Sequence, residues 1–290
     1  MKRYDIAVVG TGAAGVSAAI TAKSRGKSIL LFGSKNLSDK ITKAAKVENY
    51  TALPDISGKQ LARLMLAHLS ALDIAITEQQ VKAVFKTGRF FTLQAAQDIF
   101  EASCVIIATG VAQNRQLKGE TELLGSGVSY CTTCDSALFK NKVAAVIGYT
   151  SDSAAEAEFL AEVAAEIVFF PMKKGLAPCG KPNVKIIEEK PLAISKSGDK
   201  TEVETLNGKY EVDGVFVLRD SVLPHALING LETEKNHVKV NLKMQTSVDG
   251  VFACGDVAGT PYQYIKAAGQ GNCAALSAVK YLSYLKDKEN

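Results

Sequence analysis

The chain has 290 residues, 47% of them hydrophobic and 22% charged, with a formal net charge of +4. That length suits about two ordinary domains, the composition excludes disordered and collagen-like architectures, and the charge is too small and too interspersed for a nucleic-acid binder. No apolar run reaches the ~20 residues that cross a bilayer. The opening Met1-Lys2-Arg3-Tyr4-Asp5 leads into a strand rather than a secretory leader, which predicts a cytoplasmic protein.

In chain order, Ile6-Ala7-Val8-Val9 is a β-branched run that ends in Gly10-Thr11-Gly12-Ala13-Ala14-Gly15. A small-residue helical stretch to Arg25-Gly26 and a second strand from Ser28 to Phe32 follow. Strand, glycine turn and helix predict a dinucleotide cradle. The first glycine makes the tight turn, the second lets backbone N–H groups approach a pyrophosphate, and the third lets the helix pack on the strand. The helix N-terminus then faces the phosphates. Gly33-Ser34-Lys35 stands where an acidic ribose ligand is usual.

Further strands are predicted over Cys104-Val105-Ile106-Ile107-Ala108-Thr109-Gly110 and Gly250-Val251-Phe252-Ala253-Cys254-Gly255-Asp256. Between them lies a second strand, glycine and helix pattern: a strand from Lys142 to Gly148, an Ala- and Glu-rich helix from Ser153 to Glu166, and a strand over Ile167–Phe170. Thr201–Leu206 with the turn Asn207-Gly208 reads as a β-meander, and Gly269–Tyr284 as a C-terminal helix. The fold class is α/β, with two Rossmann-like nucleotide-binding domains, one inserted in the other. Residues 1–112 and 219–290 form the split domain and 113–218 the insertion.

Four cysteines, Cys104, Cys179, Cys254 and Cys273, are isolated and read as small buried hydrophobes. Cys131-Thr132-Thr133-Cys134 is a lone CxxC with no second pair at zinc-site spacing, so no metal is expected and a dithiol–disulfide pair is the reading. A helix starting there lowers a thiol pKa. Asp135 can move the proton that thiolate exchange requires, or interact with backbone N–H groups at the helix start.

Taken together, Gly10–Gly15, Val47-Glu48-Asn49-Tyr50, Ala108-Thr109-Gly110, Gly127-Val128-Ser129-Tyr130-Cys131-Thr132-Thr133-Cys134-Asp135 and Gly255-Asp256-Val257 resemble the low-molecular-weight thioredoxin reductase family, over essentially the whole chain. The resemblance implies FAD in the split domain, a redox CxxC in the insertion, thioredoxin as acceptor, and a homodimer. It implies FAD contacts at Gly10, Gly12, Ala13, Ala14, Gly15, Ala108, Thr109, Gly110, Gly255 and Gln263. Asp256 would bind the ribityl or phosphate part, and Asn49 would lie near the flavin. By the same analogy Cys134 faces the flavin and Cys131 attacks the substrate disulfide.

The second glycine signature departs from that family. Gly148-Tyr149-Thr150-Ser151-Asp152-Ser153 keeps the first glycine alone, Thr150 stands where backbone should approach a pyrophosphate, and Asp152 adds negative charge there. Pro171-Met172-Lys173 replaces a His-Arg-Arg cluster for a 2′-phosphate, and one lysine cannot supply arginine's bidentate fork. Asp220 replaces a glycine in the return linker, Tyr262-Gln263 replaces Arg-Gln, and Ser38-Asp39-Lys40 replaces Gly-Gly-Gln.

These departures resemble the ferredoxin-dependent flavin branch of the family, which uses no pyridine nucleotide. Electrons from a ferredoxin near about −400 mV reach thioredoxin near about −270 mV downhill by roughly 6 kcal/mol for two electrons. A flavin can hold the single electron between a one-electron donor and a two-electron disulfide. The basic charge suits an acidic donor, and Lys40, Lys43 and Lys46 are candidate docking residues. Three alternatives stay open: a diflavin disulfide oxidoreductase, an NADPH-dependent thioredoxin reductase with drifted motifs, and a non-catalytic flavin-binding module. The related ferredoxin–NADP reductase branch lacks a CxxC at this place.

Overall fold

The structure is a computed structural model and describes residues 2–111, 116–173, 175–176, 180–219, 224–234 and 237–287. The chain opens with β1 (Arg3–Val9), α1 (Ala13–Ser24), β2 (Ile29–Phe32), α2 (Asp39–Thr42), α3 (Gly58–Ala71), β3 (Ile76–Thr77), β4 (Val81–Thr87), β5 (Phe90–Ala95) and β6 (Asp98–Ile107). β7 (Val128–Ser129), α4 (Thr132–Asp135), β8 (Val143–Gly148), α5 (Ser153–Ala161), β9 (Glu166–Pro171) and β10 (Val184–Ile186) come next. After them run β11 (Ala193–Ser197), β12 (Lys200–Glu204), β13 (Lys209–Val212) and β14 (Gly214–Leu218). α6 (Pro224–Leu227), β15 (Thr233–Glu234), β16 (His237–Val238), β17 (Val251–Ala253) and α7 (Tyr264–Asp287) complete the order. These elements form two compact units, one from residues 1–111 and 221–290 and the other from 112–220.

In the first unit, β3, β2, β1, β6 and β17 run parallel, and β5 and β4 extend the sheet antiparallel from β6. Both faces are covered. Ile6, Val8, Leu31 and Ile106 pack with α1, α3 and α7 residues such as Ala18, Leu61 and Ala274, whereas Ala7, Val9, Phe32 and Ile107 meet Leu227 and Ile228 of the α6 region. This two-sided burial explains why the strands read as continuous apolar runs. Each large side chain so buried contributes about 1.5–3 kcal/mol. α3 starts with a capping box between Ser57 and Gln60, which satisfies backbone N–H groups that the first turn leaves unpaired.

The second unit has a parallel sheet in the order β10, β9, β8, β14, β7, with α5 packed on β8 and β9 through Leu160, Val146 and Phe169. β11, β12 and β13 form the antiparallel meander. The helix expected to reach Glu166 stops at Ala161, where Val163 N–H and Ala164 N–H close onto Leu160 O, and Glu166 opens β9. An Ala- and Glu-rich segment carries no glycine or proline to mark that end. α7 runs Tyr264–Asp287, beyond the expected Gly269–Tyr284 at both ends, and Gly271 within it serves packing: a Cβ there would lie 2.1 Å from Ala14 O on α1. Asp220, Ser221, Cys179 and the expected boundary at 112–113 lie outside the described residues. Among the described residues, no helix is long and apolar enough to cross a membrane.

Candidate active site

The carboxyl ends of β1, β6 and β17 lead into Gly10, Ala108 and Cys254-Gly255, and these neighbouring strands bring most of the sequence-predicted nucleotide residues together. Open α/β sheets bind ligands at such strand ends. Gly10 has φ +122, and a Cβ on it would sit 2.3 Å from Ala108 O; one on Gly15 would sit 1.8 Å from Gly10 O. Turn, helix and the Ala108 crossing are therefore in backbone contact, with Ala13, Ala14 and Ala108 buried and Gly255 against Ala14. Gly12, the N-cap of α1, and Gly110 face open space. α1 has neither a side-chain cap nor an acidic residue in its first turn.

Asn49 and Gln263 also meet: Asn49 Nδ2 donates to Gln263 Oε1 at 2.6 Å. Asp256 lies in a 3-10 turn over Gly255–Ala258, where Lys40 Nζ donates to its Oδ2 at 3.2 Å. Tyr264 hydroxyl donates to Lys40 O at 2.5 Å. Lys266 donates to Gly255 O at 3.1 Å and Gly259 O at 2.5 Å, and burial lowers its pKa. Tyr262 hydroxyl bonds His237 Nε2 at 2.7 Å. The lysines proposed for docking are matched by carboxylates: Lys40 by Asp256, Lys43 by Asp39 at 2.5 Å, and Lys46 by Glu48 at 2.6 Å and Asp55 at 3.1 Å. A carboxylate that sequence reasoning missed reaches the end of β2, where Glu78, following β3, pairs with Lys35 at 2.9 Å.

Cys131 and Cys134 form a disulfide. Cys131 is the N-cap of α4, and its Sγ accepts from Cys134 N–H at 3.1 Å. α4 is one turn that passes into a 3-10 turn at Ser136, so the expected thiol activation by a helix start has little dipole behind it. Asp135 is half-buried and its Oδ2 accepts from Ser129 Oγ at 2.6 Å, while Ser129 Oγ accepts from Cys131 N–H at 3.1 Å. Ser129 thus joins the acid to the backbone of the first cysteine. Thr132, within the ring, donates to Glu156 Oε2 on α5 at 2.5 Å.

Beside the pair lies a buried ionic cluster. Glu120 is fully buried; both of its oxygens accept from Arg219, Nη2 at 2.8 Å, and Oε1 also accepts from Tyr130 hydroxyl at 2.9 Å. Burial opposes charge on Arg219, but the Glu120 hydrogen bonds and charge outweigh it and raise the pKa. Burial and Glu120 push the Tyr130 phenol well above its usual range. The guanidinium sits 4.8 Å from the Tyr149 ring centroid, in cation–π contact. Tyr149 opens the second glycine turn, which closes on itself: Thr150 N–H donates to Ser153 Oγ at 3.1 Å and the two hydroxyls lie 2.8 Å apart. A Cβ on Gly148 would meet Ser153 Cβ at 2.5 Å. Asp152 and Glu156 place carboxylates at the start of α5, and β9 ends at Pro171 with Lys173 exposed.

A family model, pyridine nucleotide-disulphide oxidoreductase, matches residues 4–271. The chain belongs to that family. This oxidoreductase is 34% identical over 309 aligned residues to thioredoxin reductase from Aquifex aeolicus, covering 97% of this chain and 94% of that one. Among solved structures it is similar to a ferredoxin-flavin thioredoxin reductase from Clostridium acetobutylicum, with 44% identity, TM-score 0.81 and 99% coverage of both chains. A second structure of that description gives 41% identity and TM-score 0.90, covering 97% of this chain and 99% of the other.

The oxidoreductase takes FAD, and its first unit fits that group. The uncapped α1 N-terminus and the open faces of Gly12 and Gly110 suit a pyrophosphate, and Thr109 Oγ1 is buried with no protein partner among the described residues. Isolated cysteines divide: Cys104 and Cys254 are buried as expected, whereas Cys273 is exposed because its position on α7 faces away from the core.

Proposed function

We propose that this oxidoreductase reduces thioredoxin with electrons from reduced ferredoxin, passed through FAD and the Cys131–Cys134 pair, and that it uses no pyridine nucleotide. The observation that carries the reading is the second glycine turn. Its backbone N–H at Thr150 is spent on Ser153, carboxylates stand at the start of α5, and Tyr149 lies against Arg219. The Thr150 N–H is thereby withdrawn from an incoming anion, and the carboxylates of Asp152 and Glu156 oppose one. The likeness to the Clostridium ferredoxin-flavin enzymes supports the same donor.

In this reading residues 1–112 and 219–290 form the FAD domain and 113–218 the redox domain. Gly10, Gly12, Ala13, Ala14, Gly15, Ala108, Thr109, Gly110 and Gly255 hold FAD through backbone and shape, with Asn49, Asp256 and Gln263 at its flavin and ribityl parts. When bound, FAD converts single-electron delivery into the two-electron reduction of a disulfide. Cys134 accepts those electrons, and Asp135, tied to Cys131 through Ser129, manages the accompanying proton. The Cys131 thiolate then attacks the thioredoxin disulfide, and Cys134 displaces the mixed disulfide, restoring the Cys131–Cys134 bond and leaving two thiols on thioredoxin. The working protein is a cytoplasmic homodimer.

Two assays on one preparation test this. Thioredoxin reduction driven by chemically reduced ferredoxin should proceed, and released flavin should amount to one FAD per chain. Two FAD per chain would instead make it a diflavin enzyme, and absence of ferredoxin-driven turnover would overturn the proposal.

A further inference from the structure

We infer that Glu156 is a positioning residue for the redox pair, acting through Thr132 to keep the Cys131–Cys134 disulfide harder to reduce. The inference rests on the proposed disulfide chemistry and names a residue that chemistry does not otherwise use. Thr132 lies inside the four-residue ring and is 1% exposed, and its hydroxyl donates to Glu156 Oε2 at 2.5 Å. A hydroxyl-to-carboxylate hydrogen bond is charge-assisted. Glu156 comes from α5, so the turn that closes the disulfide is pinned from an element packed on the central strands rather than by its own residues alone. Ser129 and Asp135 hold the other end of the same turn.

Two effects then act in one direction. The pinned turn keeps the sulfurs within bonding reach, which favours the oxidised form. A carboxylate beside the ring disfavours thiolate, which penalises the reduced form. Around the turn, the charged and titratable groups of this unit are Asp135 on α4, Glu156 on α5, and Tyr130 with the Glu120–Arg219 pair. Of these, Glu156 bonds to Thr132, a side chain between the cysteines. A disulfide held this way gives a dithiol that is a stronger reductant of thioredoxin.

The test is an equilibrium between the FAD-loaded protein and mixtures of reduced and oxidised dithiothreitol at fixed pH. Reduction breaks the Cys131–Cys134 bond, takes two electrons and two protons from the two dithiothreitol thiols, and closes these into the cyclic disulfide. Maleimide trapping and mass spectrometry of the peptide containing Cys131 and Cys134 read the reduced fraction. Glu156→Gln and Thr132→Val should each make the disulfide about fivefold or more easier to reduce, equivalent to about 20 mV for two electrons. Thr132→Ser should behave as wild type, and the double variant Thr132→Val, Glu156→Gln should match the larger single effect instead of their sum. Unchanged equilibria in a variant that keeps its flavin spectrum, additive effects, or a Thr132→Ser shift equal to that of Thr132→Val would overturn the inference. Neither ferredoxin nor thioredoxin enters this assay, so lost ferredoxin turnover with the coupling intact would contradict the proposed function alone.

Discussion

At Gly10–Gly15 the chain crosses its own backbone so closely that two glycines admit no Cβ, yet it leaves Gly12 facing open space at an uncapped helix. At Gly148–Ser153 the same succession of strand, turn and helix has the Thr150 N–H and the Thr150 and Ser153 hydroxyls bonded within the turn, with Asp152 and Glu156 at the start of the helix. Both turns still anchor their helices to buried strands. The difference teaches that one scaffold can carry an open or a closed turn: packing of Val146, Leu160 and Phe169 maintains the unit, and a handful of polar side chains close the turn on itself. The closed unit keeps one chemical task, the disulfide.

The largest effect should follow from removing that task. Cys131→Ser should lower ferredoxin-driven thioredoxin reduction by on the order of 10³-fold or more, while the flavin still bleaches with reduced ferredoxin; normal turnover would remove Cys131 from the mechanism. Arg219→Met should destabilise the protein by about 3–5 kcal/mol, because it leaves the Glu120 carboxylate buried without its cation. A denaturant titration measures this, and a small change would show that the cluster does not hold the closed turn. Gly15→Ala drives a Cβ against backbone, 1.8 Å from Gly10 O, and Gly148→Ala drives one against side chains, 2.5 Å from Ser153 Cβ, so the pair separates the two turns. Each should cost about 1–3 kcal/mol or more, but Gly15→Ala alone should lower bound flavin per chain, read from absorbance.

Smaller effects sharpen the contrast between the units. Burial pushes the Cys254 thiol up to about 12 and the Cys104 thiol higher still, so at pH 8 both remain protonated. Iodoacetamide should label exposed Cys273 in the native protein and spare these two; labelling of Cys254 would contradict its assigned environment. Charge reversal at Lys43 and Lys46 should alter the low-salt rate with ferredoxin by less than about threefold, since each is an exposed, already matched charge. A large loss would restore them as docking residues.

The β-branched runs, the Gly10–Gly15 turn and the lone CxxC were legible because each is a local pattern with a local cause. The altered second turn was legible for the same reason, since Thr150 and Asp152 stand within it. What escaped the sequence was made by distant pairs. Lys40 and Asp256 are 216 positions apart and Glu120 and Arg219 are 99 apart, and no spacing rule joins them. Glu156 looked like one more carboxylate of an Ala- and Glu-rich helix until α5 packed beside the cysteine turn. The end of α5 at Ala161 was hidden because no glycine or proline stands between Ser153 and Glu166 to mark it.

The most direct measurement is an anaerobic spectral titration of the yellow protein, comparing bleaching of its flavin by NADPH, by NADH and by chemically reduced ferredoxin. Rapid bleaching with ferredoxin and none with either nucleotide is the predicted result. Rapid bleaching with NADPH would show that the closed turn still opens to a dinucleotide, and would contradict the account.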